Sequence, residues 1–176
     1  MYSGVRLSQL AVGEPLLNVN WEYKELKGKA AVEKRFEDVI YNASYLGFTY
    51  IVDTVRPQID ENGKLTLNNN GVGGDIWTFN DRMIKYRDMC ASTGIKLLLE
   101  FDFPTSITLA NVDLYKKFFL GELVAKYEWV KFWQIGVTPE NKDSSGADNC
   151  APDAYVDLMK YIYTKTKALN NTIIIA

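Results

Sequence analysis

Apolar residues fall along this chain in two alternating rhythms. Short runs of Val, Ile, Leu, Phe and Tyr are separated by longer stretches in which apolar residues recur every third or fourth position. The first rhythm predicts strands buried on both faces, and the second predicts helices with one buried stripe. Leu16-Leu17-Asn18-Val19-Asn20-Trp21 reads as a short first strand. Residues 30–46 then place Val32, Phe36, Val39, Ile40, Ala43 and Leu46 on one helical face. Gly47 follows, where a helix end takes a left-handed residue. Phe48 to Val55 is a β-branched and aromatic run closed by Arg56-Pro57.

The alternation continues to the last residue. A second helix from Asn80 to Thr93 turns Met83, Tyr86, Met89 and Cys90 inward and ends at Gly94. Ile95 to Phe101 is a third strand, stopped by Pro104. Asp113 is the expected N-cap of a third helix that buries Leu114, Phe118, Leu123 and Tyr127. Val130 to Ile135 is the fourth strand, and Pro152 opens a helix carrying Tyr155, Leu158, Met159, Ile162 and Leu169. Thr172 to Ala176 is a fifth strand.

Strands of this kind alternating with helices predict an α/β fold, a parallel sheet covered by helices. An open doubly wound sheet and a closed barrel both fit the alternation. The units recur about every 39 residues, so eight of them would fill roughly 300 residues, within the range of a barrel. The chain supplies about four and a half such units of a parallel (β/α) TIM-type barrel. It is expected to be a single domain over 1–176, an incomplete barrel that continues beyond Ala176. The segments after strands are long, 57–76, 102–112 and 137–151, whereas returns around Gly47, Gly94 and Trp129 are short. That asymmetry marks the C-terminal ends of the strands as the working face. Within 57–76, Asn62-Gly63 between two short runs predicts a β-hairpin.

Composition narrows the chemistry. The 176 residues contain no histidine, which removes the Ser-His-Asp and Cys-His arrangements and the His-based metal sites. Acid–base work would fall to carboxylates, Lys, Tyr or Cys. A net charge of −2 with 24% charged residues offers no attraction for nucleic acid and no basic face for an anionic membrane. Cys90 and Cys150 have no metal-site or disulfide-framework spacing and are read as free thiols. Gly71-Val72-Gly73-Gly74 lacks the lysine and hydroxyl of a phosphate-binding loop and reads as a flexible loop. No metal and no cofactor is expected. No run within 1–17 is apolar enough for a signal peptide, and none anywhere is long enough to span a membrane.

The informative segment is Phe132-Trp133-Gln134-Ile135-Gly136-Val137-Thr138-Pro139-Glu140-Asn141. It resembles the fourth-strand signature of the clan A glycoside hydrolases, which usually reads Trp-x-Ile-x-Asn-Glu-Pro. Leu46 to Asp53 resembles that clan's second strand, Gly94 to Leu99 its third, and Tyr155 to Ile175 the helix and strand after the signature. The resemblance implies a (β/α) eight-stranded barrel and a retaining mechanism. It further implies an acid/base glutamate ending the fourth strand and a nucleophile glutamate ending the seventh. Aligned without a gap, Trp133, Ile135 and Pro139 coincide with the signature, and Val137-Thr138 stand in place of Asn-Glu. A threonine hydroxyl is too weak an acid to protonate a leaving oxygen near neutral pH. The arginine that many relatives carry on the second strand is Val52 here, with Arg56 close behind it.

The expectation is therefore a non-catalytic, glycosidase-like domain serving as a carbohydrate-binding or structural module. Its partners would be a glycan and the rest of the barrel or other subunits of a larger assembly, at a cell surface or in a virion. The candidate sugar contacts are Trp21, Glu22, Arg56, Asp102, Gln134, Thr138 and Glu140. A working retaining glycosidase is the alternative, with Glu140 or Glu100 as the acid. It needs two carboxyl groups about 5–5.5 Å apart. A third reading is a purely structural subunit with its barrel mouth blocked.

Overall fold

Alternation along the strands and the three-to-four spacing along the helices decide the architecture of the computed structural model, which describes residues 4–6, 29–67, 78–136 and 150–176. Strand β1 is Gly4–Arg6, helix α1 is Lys29–Tyr45, and β2 is Tyr50–Val55. A hairpin of β3 (Gln58–Ile59) and β4 (Leu65–Thr66) follows, then α2 (Phe79–Thr93) and β5 (Lys96–Phe101). Helix α3 (Val112–Phe118) runs on into a π-helical segment, Phe119–Val124. Strand β6 (Phe132–Ile135), α4 (Pro152–Leu169) and β7 (Ile174–Ile175) complete the chain.

The main sheet has the order β1-β2-β5-β6-β7. Strands β1 and β2 pair in parallel, Gly4 facing Tyr50, and β6 and β7 pair in parallel, Phe132 facing Ile174. Between β2 and β5, the Lys96 amide donates to the Thr49 carbonyl (3.0 Å) and the Asp102 amide to that of Val55 (2.8 Å). The advance is equal on both strands, so these run parallel too. The fold is thus mixed α/β with a parallel sheet, as the alternation predicts.

The chain divides into two compact units, Met1–Thr54 with Asn68–Leu98, and Val55–Leu67 with Leu99–Ala176. In the first unit, α1 and α2 bury Phe36, Ile40, Ala43, Met83, Tyr86 and Met89. Phe36 meets Tyr86 edge to face at 4.5 Å, and Lys85 pairs with Glu37 at 2.7 Å across the two helices. Thr78 caps α2 in a reciprocal box with Asp81, which satisfies two otherwise orphaned amides. Gly47 and Gly94 both take positive φ, 81° and 75°, and end their helices as the sequence requires.

The second unit is built on aromatic packing. Phe101 lies against Phe118 and Phe119, with centroids at 6.1 and 5.3 Å, and Phe119 meets Trp133 edge to face at 5.2 Å. Each such buried ring contributes about 1.5–3 kcal/mol through the apolar surface it takes from water. The π-helical turn has a steric logic. Continued α geometry would bring Glu122 onto the face of Phe118 and Phe119. The wider turn, marked by the Ala125 amide donating to Leu120 five residues back, brings Leu123 and Val124 inward instead. Glu122 is left outside, paired with Lys126. Lys116 fastens α3 to α4, reaching Asp113 at 2.9 Å and Asp157 at 2.6 Å.

The predicted hairpin is present, with Gly63 at φ 74° and Asp60 accepting the amides of Asn62 and Lys64. Four local expectations are corrected. Asn111, not Asp113, is the N-cap of α3, because Val112 already has helical geometry and is buried while Asp113 lies exposed in the first turn. Leu114 is only half-buried, and Tyr115 takes the inward place beside Phe101. Leu46 is 71% exposed, because α1 ends at Tyr45 and the turn carries the next residue off the stripe. Leu169 is 65% exposed at the last turn of α4, where Thr166 takes the inward position. The proposed strand at Leu16–Trp21 and the loop at Gly71–Gly74 lie outside the described residues, and Gly4–Arg6 is the strand that pairs with β2.

Candidate functional site

Strand ends in the second unit bring together two of the described candidate side chains, Arg56 and Asp102. Arg56 follows the last residue of β2, and Asp102 follows the last residue of β5. The Asp102 amide is hydrogen-bonded to the Val55 carbonyl, so the two residues emerge side by side. Arg56 Nε donates to Asp102 Oδ2 at 2.8 Å, and Nη2 donates to the same oxygen. The other carboxylate oxygen, Oδ1, accepts the Phe103 amide at 2.9 Å. The arginine side chain is 63% exposed and the aspartate 15%. An ion pair that open to water contributes little to stability, on the order of 1 kcal/mol or less. What it contributes is a paired donor and acceptor at the strand ends.

Glu100 is 1% exposed. Alternation along β5 sends Leu99 and Phe101 toward the helices and Glu100 to the opposite face of the sheet. Asp102 shares the parity of Glu100. Gln134 is half-buried, and its Nε2 donates to the carbonyl of Gly136 at 3.1 Å, along its own strand end. Gly136 has φ 79°, and its amide donates to the Phe101 carbonyl at 2.7 Å, tying the ends of β5 and β6. From α4, the Tyr155 hydroxyl donates to the Ile135 carbonyl at 2.9 Å and holds the last residue of β6. Trp21, Glu22, Thr138 and Glu140 lie outside the described residues.

A second cluster, in the first unit, escaped the sequence reading. Asp53 is 6% exposed on β2, with Arg82 (5%) and Tyr86 (0%) against it from α2. Its Oδ2 accepts the Tyr86 hydroxyl at 2.8 Å and faces Arg82 Nε at 3.3 Å, while Oδ1 accepts the Thr54 amide. Burial and the neighbouring Asp53 charge push the Tyr86 hydroxyl well above the usual tyrosine value. The available signal was a carboxylate at a buried parity, between Ile51 and Val55, in an otherwise apolar strand. The cluster lies between strand and helix, and its work is to fasten α2 to β2.

Both cysteines are free, Cys150 buried and Cys90 partly so. Burial pushes each thiol up to about 11. Among the described residues no group of three or more Cys, Asp and Glu side chains could hold a metal ion, and no helix is long and apolar enough to cross a membrane.

Neither a protein-family model nor a curated protein matches the chain. Solved structures do. A family 39 glycoside hydrolase from the gut symbiont Bacteroides cellulosilyticus WH2 matches with a TM-score of 0.53 at 16% identity, over 80% of this chain and 28% of its own. A second glycoside hydrolase matches with a TM-score of 0.51 at 14% identity, over 99% of this chain and 35% of its own. A family 29 alpha-L-fucosidase from Bacteroides thetaiotaomicron matches with a TM-score of 0.52 at 14% identity, over 98% and 44%. The chain thus spans less than half the length of the structures it matches. At such identities the likeness is one of architecture, and architecture does not fix chemistry. This chain has a glycoside hydrolase-like fold.

Proposed function

We propose that the chain is part of a glycoside hydrolase-like (β/α) barrel that binds carbohydrate, or serves as a structural module of a larger protein or assembly, without hydrolysing glycosides. The observation that carries this reading is the Arg56–Asp102 pair. Both oxygens of Asp102 are occupied as acceptors, one by the guanidinium and one by the Phe103 amide. That arrangement suits holding hydroxyl groups and does not suit giving a proton to a leaving oxygen. The sequence register adds support, since Thr138 stands where the clan A signature has its glutamate. The full sugar-contacting set would be Trp21, Glu22, Arg56, Asp102, Gln134, Thr138 and Glu140. Closure of the barrel and its continuation beyond Ala176 belong to the same proposal.

The test is equilibrium binding of the chain to a panel of soluble oligosaccharides, paired with turnover of activated aryl glycosides. Measurable binding that Arg56→Ala weakens at least fivefold, with no turnover, is the expected result. Turnover that disappears in Glu100→Gln would replace this reading with that of a retaining glycosidase. Absence of both binding and turnover would leave the structural role.

A further inference from the structure

We propose that the Arg56–Asp102 surface selects uncharged glycans and turns away acidic ones; this deepens the carbohydrate-binding reading above and rests on it. The guanidinium carries five N–H donors, and the pairing with Asp102 engages those on Nε and Nη2. The remaining edge belongs to a side chain that is 63% exposed. The carboxylate keeps lone-pair positions beyond those filled by Arg56 and the Phe103 amide. Donors and acceptors therefore stand next to each other in one pair. A sugar hydroxyl both donates and accepts, so neighbouring hydroxyls of a neutral ring match that pairing group for group.

A carboxylate or sulfate on the ligand meets a different situation. The positive charge of Arg56 is already matched by Asp102 at hydrogen-bond distance. An anion reaching the guanidinium must displace that carboxylate or lie beside it, and like charges held close repel. Residues 55–67 and 99–111 carry two cations, Arg56 and Lys64, against four carboxylates, Asp60, Glu61, Glu100 and Asp102. The pair thus acts as a charge-neutral hydroxyl clamp.

The experiment titrates the full chain with neutral glucan, xylan and mannan hexasaccharides and with oligogalacturonate of the same length, at low and moderate salt. At least one neutral ligand is expected to bind, and the uronide at least tenfold more weakly, the gap narrowing as salt screens the repulsion. Asp102→Asn frees the guanidinium while keeping an oxygen for the Phe103 amide. It is expected to raise uronide affinity at least tenfold, with an unchanged circular dichroism spectrum. Arg56→Gln is expected to weaken the neutral ligand without any gain for the uronide. Wild-type preference for the uronide, or a folded Asp102→Asn chain that gains nothing for it, overturns the selectivity and leaves carbohydrate binding standing. Failure of every sugar to bind overturns the carbohydrate reading itself, and the selectivity with it.

Discussion

Replacing Tyr86 with Phe removes one atom from the middle of the first unit. The lost hydroxyl donates to Asp53 Oδ2 at 2.8 Å, and both residues are buried, 0% and 6% exposed. The ring keeps its edge-to-face contact with Phe36, so the packing loss is small. A hydrogen bond to a charged group is worth about 1.5–3 kcal/mol. Asp53 retains the Thr54 amide and Arg82, which places the expected cost near the middle of that range, about 2 kcal/mol. For a chain of this size that lowers the Tm by about 4–8 °C. Asp53→Asn should cost more, about 3–5 kcal/mol, because it leaves the buried Arg82 without a counter-charge. The Tyr86 hydroxyl is also held above its ordinary value of 10, first by burial and then by Asp53. Above that pH the unfolded chain releases this proton while the native chain keeps it. Stability therefore falls as pH rises, by about 1.4 kcal/mol per unit for the one proton. Urea denaturation of wild-type and Tyr86→Phe chains across the alkaline range measures both effects. A cost below about 0.5 kcal/mol, with the same alkaline slope in both proteins, would refute the reasoning, since it lies well under the range for such a bond.

Two further outcomes follow from single positions. Gly121 lies in the π-helical segment with open space where a Cβ would stand, so Gly121→Ala should stabilise the chain by about 0.5–1 kcal/mol, and a lower Tm would show that the segment is strained there. Cys90 and Cys150, both pushed up to about 11, should react with iodoacetamide at pH 8 about a hundredfold or more slowly in the native chain than in denaturant, and equal rates would mean that they are not buried as described.

The elements were legible because burial writes its period into the sequence. Tyr50–Val55 and Lys96–Phe101 carry runs that only strands accommodate, and Gly47, Gly94 and Pro152 mark helix boundaries through backbone geometry alone. Gly4–Arg6 was not legible, because three residues with one apolar side chain become a strand only by pairing with Tyr50–Val52. The cap of the third helix lies two residues before the one that residue type suggests, since Asp113 resembles a cap whereas the cap position depends on where Val112 packs. Arg56 and Asp102 were each recognisable as strand-end residues. Their bond to each other was not, because it joins positions 46 residues apart. The Asp53–Arg82–Tyr86 cluster was hidden for the same reason, although the period-two pattern of β2 already placed a carboxylate on its buried side.

The π-helical turn after Phe118 also bears on how the chain tolerates changes in length. A turn closed by bonds five residues apart holds one residue more than α geometry needs, and the next bond, from the Tyr127 amide to Leu123, is already back at four. The surplus is therefore confined to Phe119–Val124, with Gly121 on its open side. Removing one residue there lets the helix close as a regular α turn while Val124 and Tyr127 keep their buried orientation, and β6 keeps its register with β7. The segment is a built-in slack link, at which a deletion is absorbed before it reaches the strand ends that carry the candidate site.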